Sequence, residues 1–212
     1  YPDRCAGPGH LQPIINDAFV LGQAGTAPRL QAARIEAALL WFFYLSVLSE
    51  AWTSSFDKLE DIDSMWGYYN GAEPREAAIG LAGYIKALSP ATHDRVFDGL
   101  LGGRCWRDLD PALPSKRLDM YQAVSQQLDR ALLRGMALIL RDRLGQLGQG
   151  TAEERAAHLG FVQLLAERMD RAARAVSAAQ ADVLKQQVAA ASPDQVDVKA
   201  AQAALDALFP CA

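Results

Sequence analysis

The 212-residue sequence is poor in the residues that build compact catalytic and transition-metal sites. It contains three histidines and three cysteines, and the cysteines show neither CxxC nor CxxCH spacing. A zinc ribbon and an attached c-type haem are therefore not expected. A glycine-rich phosphate loop, a G-x-S-x-G segment and a Cys/His nucleophile pattern are also missing, so no enzymatic activity is predicted.

Excess positive charge and long apolar runs are lacking as well. The 21 basic and 25 acidic residues give a net charge of −4, so no nucleic-acid partner is expected. The most apolar stretch, Ala37 to Leu48, is shorter than the run of about 18 residues typical of a transmembrane helix and lies between Glu36 and Glu50. No membrane span is therefore predicted.

The first residue is Tyr1 rather than methionine, which favours either a mature start after removal of an export leader or a trimmed chain. In an exported protein, one disulfide and one remaining thiol are expected among Cys5, Cys105 and Cys211. Three pairings are open, although a bond between Cys5 and Cys211 would restrain both chain ends. The alternative is three unpaired cysteines that act as small apolar side chains.

Helix-forming residues dominate the sequence. Half of the chain is apolar, Ala, Leu, Gln, Arg and Glu fill long stretches, and strand-like alternation is missing. These patterns predict a single all-α domain over residues 1–212, an antiparallel bundle of long helices with a short-helix middle region at about residues 59–113. The predicted helices cover residues 10–21, 27–58, 61–69, 73–88, 90–103, 115–147, 151–191 and 193–208.

The second predicted helix carries two acids on an apolar face. Glu36, Leu40, Phe43, Val47 and Glu50 follow each other at steps of four and three, which places them on one side of a helix. A buried carboxylate needs a hydrogen-bonding or cationic partner. The two glutamates are about 21 Å apart along the helix, so they cannot share one metal ion. Each is therefore either an edge residue paired with an arginine or water, or part of a separate cation site.

The segment IDSMWGYYNG, Ile62 to Gly71, concentrates polar and aromatic groups just after this helix. Asp63 could approach Glu50, and Tyr69 could supply a phenolate, since ferric iron favours oxygen ligands. This pattern predicts a hard-cation site of carboxylate and tyrosine oxygens. The alternatives are an aromatic groove for an organic ligand or a protein partner, or a core cluster where helices cross; the rings concerned are Trp41, Phe43, Trp66, Tyr68 and Tyr69.

The histidines add little to this prediction. Glu154 and His158 are four residues apart and could face one ligand together, although His158 also continues an apolar row and is interpreted as a packed, hydrogen-bonded residue. His10 and His93 are interpreted as surface or capping residues. The Glu-x-x-His pairs of di-iron bundles are missing, which argues against an oxygen-activating centre.

Four segments together resemble the algal iron-assimilating protein family, whose secreted or periplasmic helical members have bacterial relatives. They occur in the family's order from about Arg34 to the C-terminus, and they are RIEAALLWFFYLSVLSEAW, IDSMWGYYNG, GGRCW and VDVKAAQAALDALFPCA. The sequence departs from the family at Tyr44-Leu45-Ser46, where the family tends to hold a histidine, and at Ser64, where an acid is usual. It also lacks the second cysteine that follows Cys105 in the family.

The resemblance implies a periplasmic or secreted protein that captures or delivers iron. The positions that match the family's acidic and phenolic pattern are Glu36, Glu50, Asp63 and Tyr69, which become the predicted metal ligands. Iron is the expected cargo, and no organic cofactor is expected. The expected partners are the metal ion and a membrane transporter or partner protein that receives it. The alternative function is a helical binding or interaction module that uses the aromatic groove and no metal.

Overall fold

The computed structural model describes residues 8–53, 60–109 and 117–210, and these residues are mostly helical. They form nine α-helices and one 3-10 helix, with no β-strand among them, which confirms the predicted all-α helical bundle. The α-helices are α1 (Pro8–Gln23), α2 (Pro28–Thr53), α3 (Asp61–Asn70), α4 (Gly80–Leu88), α5 (Pro90–Asp108), α6 (Leu118–Gly145), α7 (Ala152–Val176), α8 (Ala178–Val188) and α9 (Val198–Leu208), and the 3-10 helix is Pro193–Gln195.

The described residues cluster into two compact units. The first unit covers Phe43–Leu138, and the second combines the chain up to Phe42 with Ile139–Pro210. The helices α2 and α6 are each divided, with one part in the first unit and the other part in the second. The single-domain organisation expected from the sequence stays a prediction.

The first unit contains the second half of α2, all of α3 to α5 and most of α6. Helix α3 ends as predicted, because Gly71 adopts a left-handed conformation (φ 64°) and its N–H bonds to the Gly67 carbonyl. Helix α5 begins as predicted, since the Ser89 hydroxyl accepts a hydrogen bond from the backbone N–H of Thr92 and Pro90 occupies the first turn.

Two helix boundaries in this unit differ from the prediction. Helix α4 begins at Gly80 rather than near Glu73, because the Asn70 side chain holds the preceding turns: it donates to the Glu73 carbonyl at 2.7 Å and accepts from the Ile79 N–H at 3.0 Å. Helix α5 continues through Gly102 to Asp108. A Cβ atom on Gly102 would lie 3.1 Å from Val124, so this glycine serves the close packing of α5 on α6 instead of ending the helix.

The second unit contains α1, the first half of α2, the end of α6 and the helices α7 to α9. The predicted capping box at the start of α7 is present, with Thr151 and Glu154 bonded to each other's backbone N–H groups. The single helix predicted for residues 151–191 is two helices. Ser177 is extended (φ −156°), and its side chain accepts from the Gln180 N–H, so a serine cap starts α8 without a glycine or a proline.

Helix α2 is long and apolar enough to cross a membrane. The segment Pro28–Trp52 has a mean hydropathy of 1.4, and 44% of its most apolar window is buried inside the protein. Core helices meet the same criterion, and Trp41, Tyr44 and Val47 of this helix are core residues. The expected absence of a membrane span therefore stays a prediction.

Candidate functional site

The four predicted metal ligands lie in different surroundings. In the first unit, Asp63 is exposed, Glu50 is half-buried and engaged in interactions of its own, and Tyr69 is fully buried. Glu36 belongs to the second unit, where it pairs with Arg143. Across the described parts of the chain, no group of three or more His, Cys, Asp or Glu side chains is arranged to hold a metal ion. The predicted ligand set thus stays a prediction.

Tyr69 forms a buried hydrogen-bonded chain with His93. The two side chains meet at 3.0 Å between the Tyr69 hydroxyl and His93 Nδ1, while His93 Nε2 lies 2.9 Å from the Arg75 carbonyl oxygen. Because a carbonyl only accepts, Nε2 carries the proton and Nδ1 accepts the hydrogen bond from Tyr69. His93 was expected at the surface or in a cap, and this expectation is wrong, since the residue is 1% exposed.

Burial sets the protonation of this pair. It raises the pKa of Tyr69 far above its ordinary value, with a further contribution from the charge of Asp94, and it lowers the pKa of His93. Tyr69 is therefore held as a neutral phenol, which disfavours the phenolate that an iron–tyrosine bond requires. The sequence does contain a signal for the burial of His93, because it starts the buried row that continues with Val96, Phe97 and Leu100.

Two of the five aromatic residues of the predicted groove are core residues, while Phe43 and Trp66 are half-buried and Tyr68 is exposed. Trp41 and Tyr69 are buried, so these two rings do not line a surface groove. Trp66 is half-buried, meets the Phe97 ring edge-on at 6.0 Å and donates its indole N–H to the Glu73 carbonyl at 3.0 Å. In the first unit, these contacts correspond to the core-cluster interpretation of the Tyr-rich segment.

A polar cleft of about 660 Å³ lies in the second unit. It is bounded by the first half of α2, the end of α6 and the start of α7. The polar side chains that line it include Arg29, Glu36, Arg143, Gln146, Glu154 and His158. Glu36 is thus brought together with Glu154 and His158, the pair whose spacing on α7 predicted a shared face.

Arg143 connects the three helices around the polar cleft. Its Nη2 donates to Glu36 Oε1 at 2.5 Å, its Nη1 lies 3.4 Å from His158 Nδ1, and its guanidinium lies 4.7 Å from the centre of the Phe161 ring. Since a guanidinium only donates, His158 Nδ1 accepts and the proton of the neutral imidazole is on Nε2. Burial and the charge of Arg143 lower the pKa of His158.

A second ion pair lines the polar cleft. Arg29 Nη1 donates to Glu154 Oε1 at 2.6 Å, and Glu154 Oε2 accepts from the backbone N–H of Thr151 at 2.9 Å. The bonds from Thr151, and then Arg29, lower the pKa of Glu154, so this carboxylate is ionised near neutral pH. Among the residues that line the cleft, the formal charges of Arg29, Arg143, Glu36 and Glu154 cancel, while Glu153, outside the lining, also pairs with Arg29 at 3.7 Å.

No family model, curated protein or solved structure matches the chain. The description of the site therefore rests on its own residues.

Arg143, like Arg29, is a residue of the polar cleft that the sequence analysis did not single out. It is flanked in the sequence by Leu140 and Leu144, which are buried residues of α6. An arginine beside an apolar row packs its hydrocarbon stem on that row, but this pattern does not identify the partner of its guanidinium.

Proposed function

We propose that the protein is a non-catalytic binding protein whose polar cleft holds a small polar ligand that carries both an anionic and a cationic group. The observation that supports this proposal is the charge balance of the cleft, in which Arg143 pairs with Glu36 and Arg29 pairs with Glu154. The ligand class that matches best is a zwitterion, such as a free amino acid.

The balance of positive and negative side chains in the polar cleft disfavours ligands that carry only positive or only negative charge. An anion that binds an arginine of the polar cleft would break the ion pair of that arginine with a glutamate, and a cation that binds a glutamate would break the same ion pair from the other side. A zwitterion offers one group to each member of an ion pair, so both protein charges keep a partner. His158 Nε2–H and the Gln146 side chain provide further polar groups on the wall of the cleft.

The proposal is tested by calorimetric titration of the protein with the individual free amino acids at pH 7.5, alongside succinate and putrescine. We expect saturable binding of at least one amino acid, and binding of succinate and putrescine that is at least tenfold weaker. Failure of every amino acid to bind, or tighter binding of putrescine or succinate, would contradict the proposal.

Substitutions of residues that line the polar cleft test whether the amino acid binds there. Glu36→Gln and Arg143→Gln each remove one member of the half-buried ion pair, and we expect each to weaken binding of the amino acid about tenfold or more. Arg141→Gln is the matched control, because Arg141 is also on α6 but pairs at the surface with Asp206. An equal loss in the control would place the binding elsewhere.

The second candidate function is capture and delivery of iron by an exported protein that passes it to a transporter or partner protein. One observation favours it: Glu36, Glu154 and His158 line the same cleft, and both carboxylates already contact a cationic guanidinium. These three side chains are not arranged as a metal site in this structure, so a metal ion would have to draw them together. A metal ion would take the place of the arginines, which would have to turn away. Tyr69 is not expected to contribute, because its burial opposes ionisation.

Iron binding is tested by adding ferric citrate to metal-free protein and measuring retained iron by mass spectrometry after gel filtration. Capture in the polar cleft predicts a large loss of retained iron in Glu36→Gln and Glu154→Gln, and no tyrosinate-to-iron absorption band. Loss in Glu50→Gln and Asp63→Asn instead would support the ligands predicted in the first unit. Protein that retains no iron would exclude this candidate and leave the zwitterion proposal standing.

A further inference from the structure

A separate groove of about 320 Å³ lies between α7 and α8 in the second unit. We call it the α7–α8 groove. Its floor is apolar and consists of Ala166, Ala173, Ala181, Leu184 and Val188. Its volume falls at the lower end of the range for pockets that bind small molecules, and it shares no lining residue with the polar cleft.

The floor is narrow because small residues meet where the two helices pack. Ala173 of α7 and Ala181 of α8 are both buried on either side of the Ser177 break, which turns the chain back on itself. Gln163 lines the groove and donates its side-chain N–H to the Ala190 carbonyl at 3.0 Å, which ties α7 to the end of α8.

The charged residues on the rim of the α7–α8 groove differ in how they are paired. Glu167 accepts a hydrogen bond from Arg168 at 2.8 Å, and Asp170 accepts one from Arg174 at 2.8 Å. Lys185 is exposed, and within the described ranges its ammonium group has no acidic partner. The rim therefore presents two carboxylates that already have cationic partners and one ammonium group that has none.

We propose that the α7–α8 groove binds an aliphatic monocarboxylate, with the hydrocarbon chain on the alanine, leucine and valine floor and the carboxylate at the Lys185 ammonium. The apolar floor provides the favourable free energy by removing methylene groups from water. Lys185 provides the preference for an anionic head group, because Glu167 and Asp170 are engaged by Arg168 and Arg174.

The first test measures how affinity depends on chain length and head group. Hexanoate, octanoate, 1-octanol and octylamine are titrated below their aggregation concentrations while the backbone amide spectrum of the protein is recorded. We expect the affinity to rise about fourfold for each added methylene, with shifts at α7 and α8. We also expect octanoate to bind at least threefold more tightly than octanol. Affinity independent of chain length, or octylamine binding as tightly as octanoate, would overturn the proposal.

The second test uses variants on the exposed rim. Lys185→Gln should remove the preference for octanoate over octanol, whereas Lys199→Gln, at an exposed lysine on α9, should leave it unchanged. Ala189→Phe places a ring on the lining of the α7–α8 groove, at an exposed position just after the end of α8, where φ is −73° and a larger side chain causes no backbone strain. It should weaken octanoate at least tenfold with an unchanged thermal transition. Octanoate binding that survives Ala189→Phe would rule out the α7–α8 groove as the site.

Discussion

The two units use a neutral histidine in opposite ways. His93 in the first unit is 1% exposed, and both of its ring nitrogens are occupied, one by Tyr69 and one by the Arg75 carbonyl. His158 in the second unit is half-buried on the wall of the polar cleft, where only its Nδ1 lies near a partner among the described residues, the guanidinium of Arg143. The pKa of both residues is lowered mainly by burial.

This difference shows that a shifted pKa does not by itself identify a binding site. His93 satisfies its own hydrogen bonds inside the core and offers no donor to a ligand. His158 is half-buried and lines the polar cleft, beside the Arg143–Glu36 ion pair. The first unit thus illustrates polar groups enclosed in a core, and the second illustrates polar groups that line a cleft.

The largest expected effect comes from removing the imidazole of the first unit. His93→Leu leaves the buried Tyr69 hydroxyl without its acceptor, and the Arg75 carbonyl keeps only the Lys86 ammonium, at 3.4 Å. We expect a loss of about 2 kcal/mol in the free energy of unfolding. Urea denaturation at pH 7.5, followed by circular dichroism, measures this loss.

The matched change in the second unit is His158→Leu. It removes one long contact at a partly exposed site, so we expect a loss below about 1 kcal/mol. Equal losses in the two variants would mean that the two histidines do not differ in the way that their surroundings indicate.

The pH dependence of the free energy of unfolding should also distinguish His93 of the first unit from His158 of the second. Because the folded-state pKa of His93 lies below its ordinary value of 6.5, the unfolded chain binds more protons in acid. The contribution of His93 is fully present above about pH 6.5 and is lost progressively as the pH falls below that value. The charged groups that act on His93 are Arg75, Lys86 and Asp94, and Tyr69 contacts it directly.

Urea denaturation between pH 8 and pH 5 measures this dependence. We expect a smaller loss of stability with acid in His93→Leu than in the parent protein. The pKa of His158 is lowered too, so His158→Leu is the required control for the part that arises in the second unit. An unchanged acid slope in His93→Leu would contradict the assignment of His93 as a buried neutral base.

A smaller effect is expected at the centre of the polar cleft. Arg143→Met removes the positive charge that lowers the pKa of His158, so that pKa should rise toward its ordinary value. Glu36 loses its ion pair with Arg143 as well, and we expect about 1 kcal/mol of destabilisation. An NMR titration of the His158 ring protons measures the first effect. Arg141→Met should leave the titration of His158 unchanged.

Helix content was predictable from the sequence because it depends on local composition and capping. The Ser89 cap, the Thr151–Glu154 capping box and the left-handed Gly71 were all readable from residue type and spacing. The break at Ser177 was missed because no glycine or proline marks it. The predicted end of α5 at Gly102 was wrong, because this glycine allows close packing against Val124 and does not end the helix. A local sequence pattern does not reveal such a packing contact.

The candidate site was predictable only in part. The acid on the apolar face of α2 and the Glu154–His158 spacing each mark a residue of the polar cleft. The partner of Glu36 is 107 positions away in the sequence, so no local pattern could assign Arg143 to it. Tyr69 was predicted as a metal ligand from its residue type, and the sequence did not indicate its burial or its hydrogen bond to His93.

The smallest expected effect concerns two ion pairs that lie in the same unit and share helix α6. The pair Arg143–Glu36 is 21% and 27% exposed at its two side chains, and the pair Arg141–Asp206 is 45% and 44% exposed. Water screens the second pair more strongly. In double-mutant cycles with Met at each arginine and Gln or Asn at each acid, we expect a coupling of about 1 kcal/mol for the first pair and below about 0.5 kcal/mol for the second.

The ratio of these two coupling energies tests whether the partial burial of the Arg143–Glu36 ion pair favours its replacement by the charges of a ligand. If the couplings are equal, the walls of the polar cleft are no better shielded from water than the outer surface, and a zwitterion would gain nothing there over bulk solvent. A larger Arg143–Glu36 coupling that decreases less in 0.5 M salt would mean that the cleft shields this ion pair from water and salt. A ligand that replaces the ion pair must then match both of its charges, which favours a zwitterion. Repeating the cycle with a bound amino acid should then reduce the Arg143–Glu36 coupling and leave the Arg141–Asp206 coupling as it was.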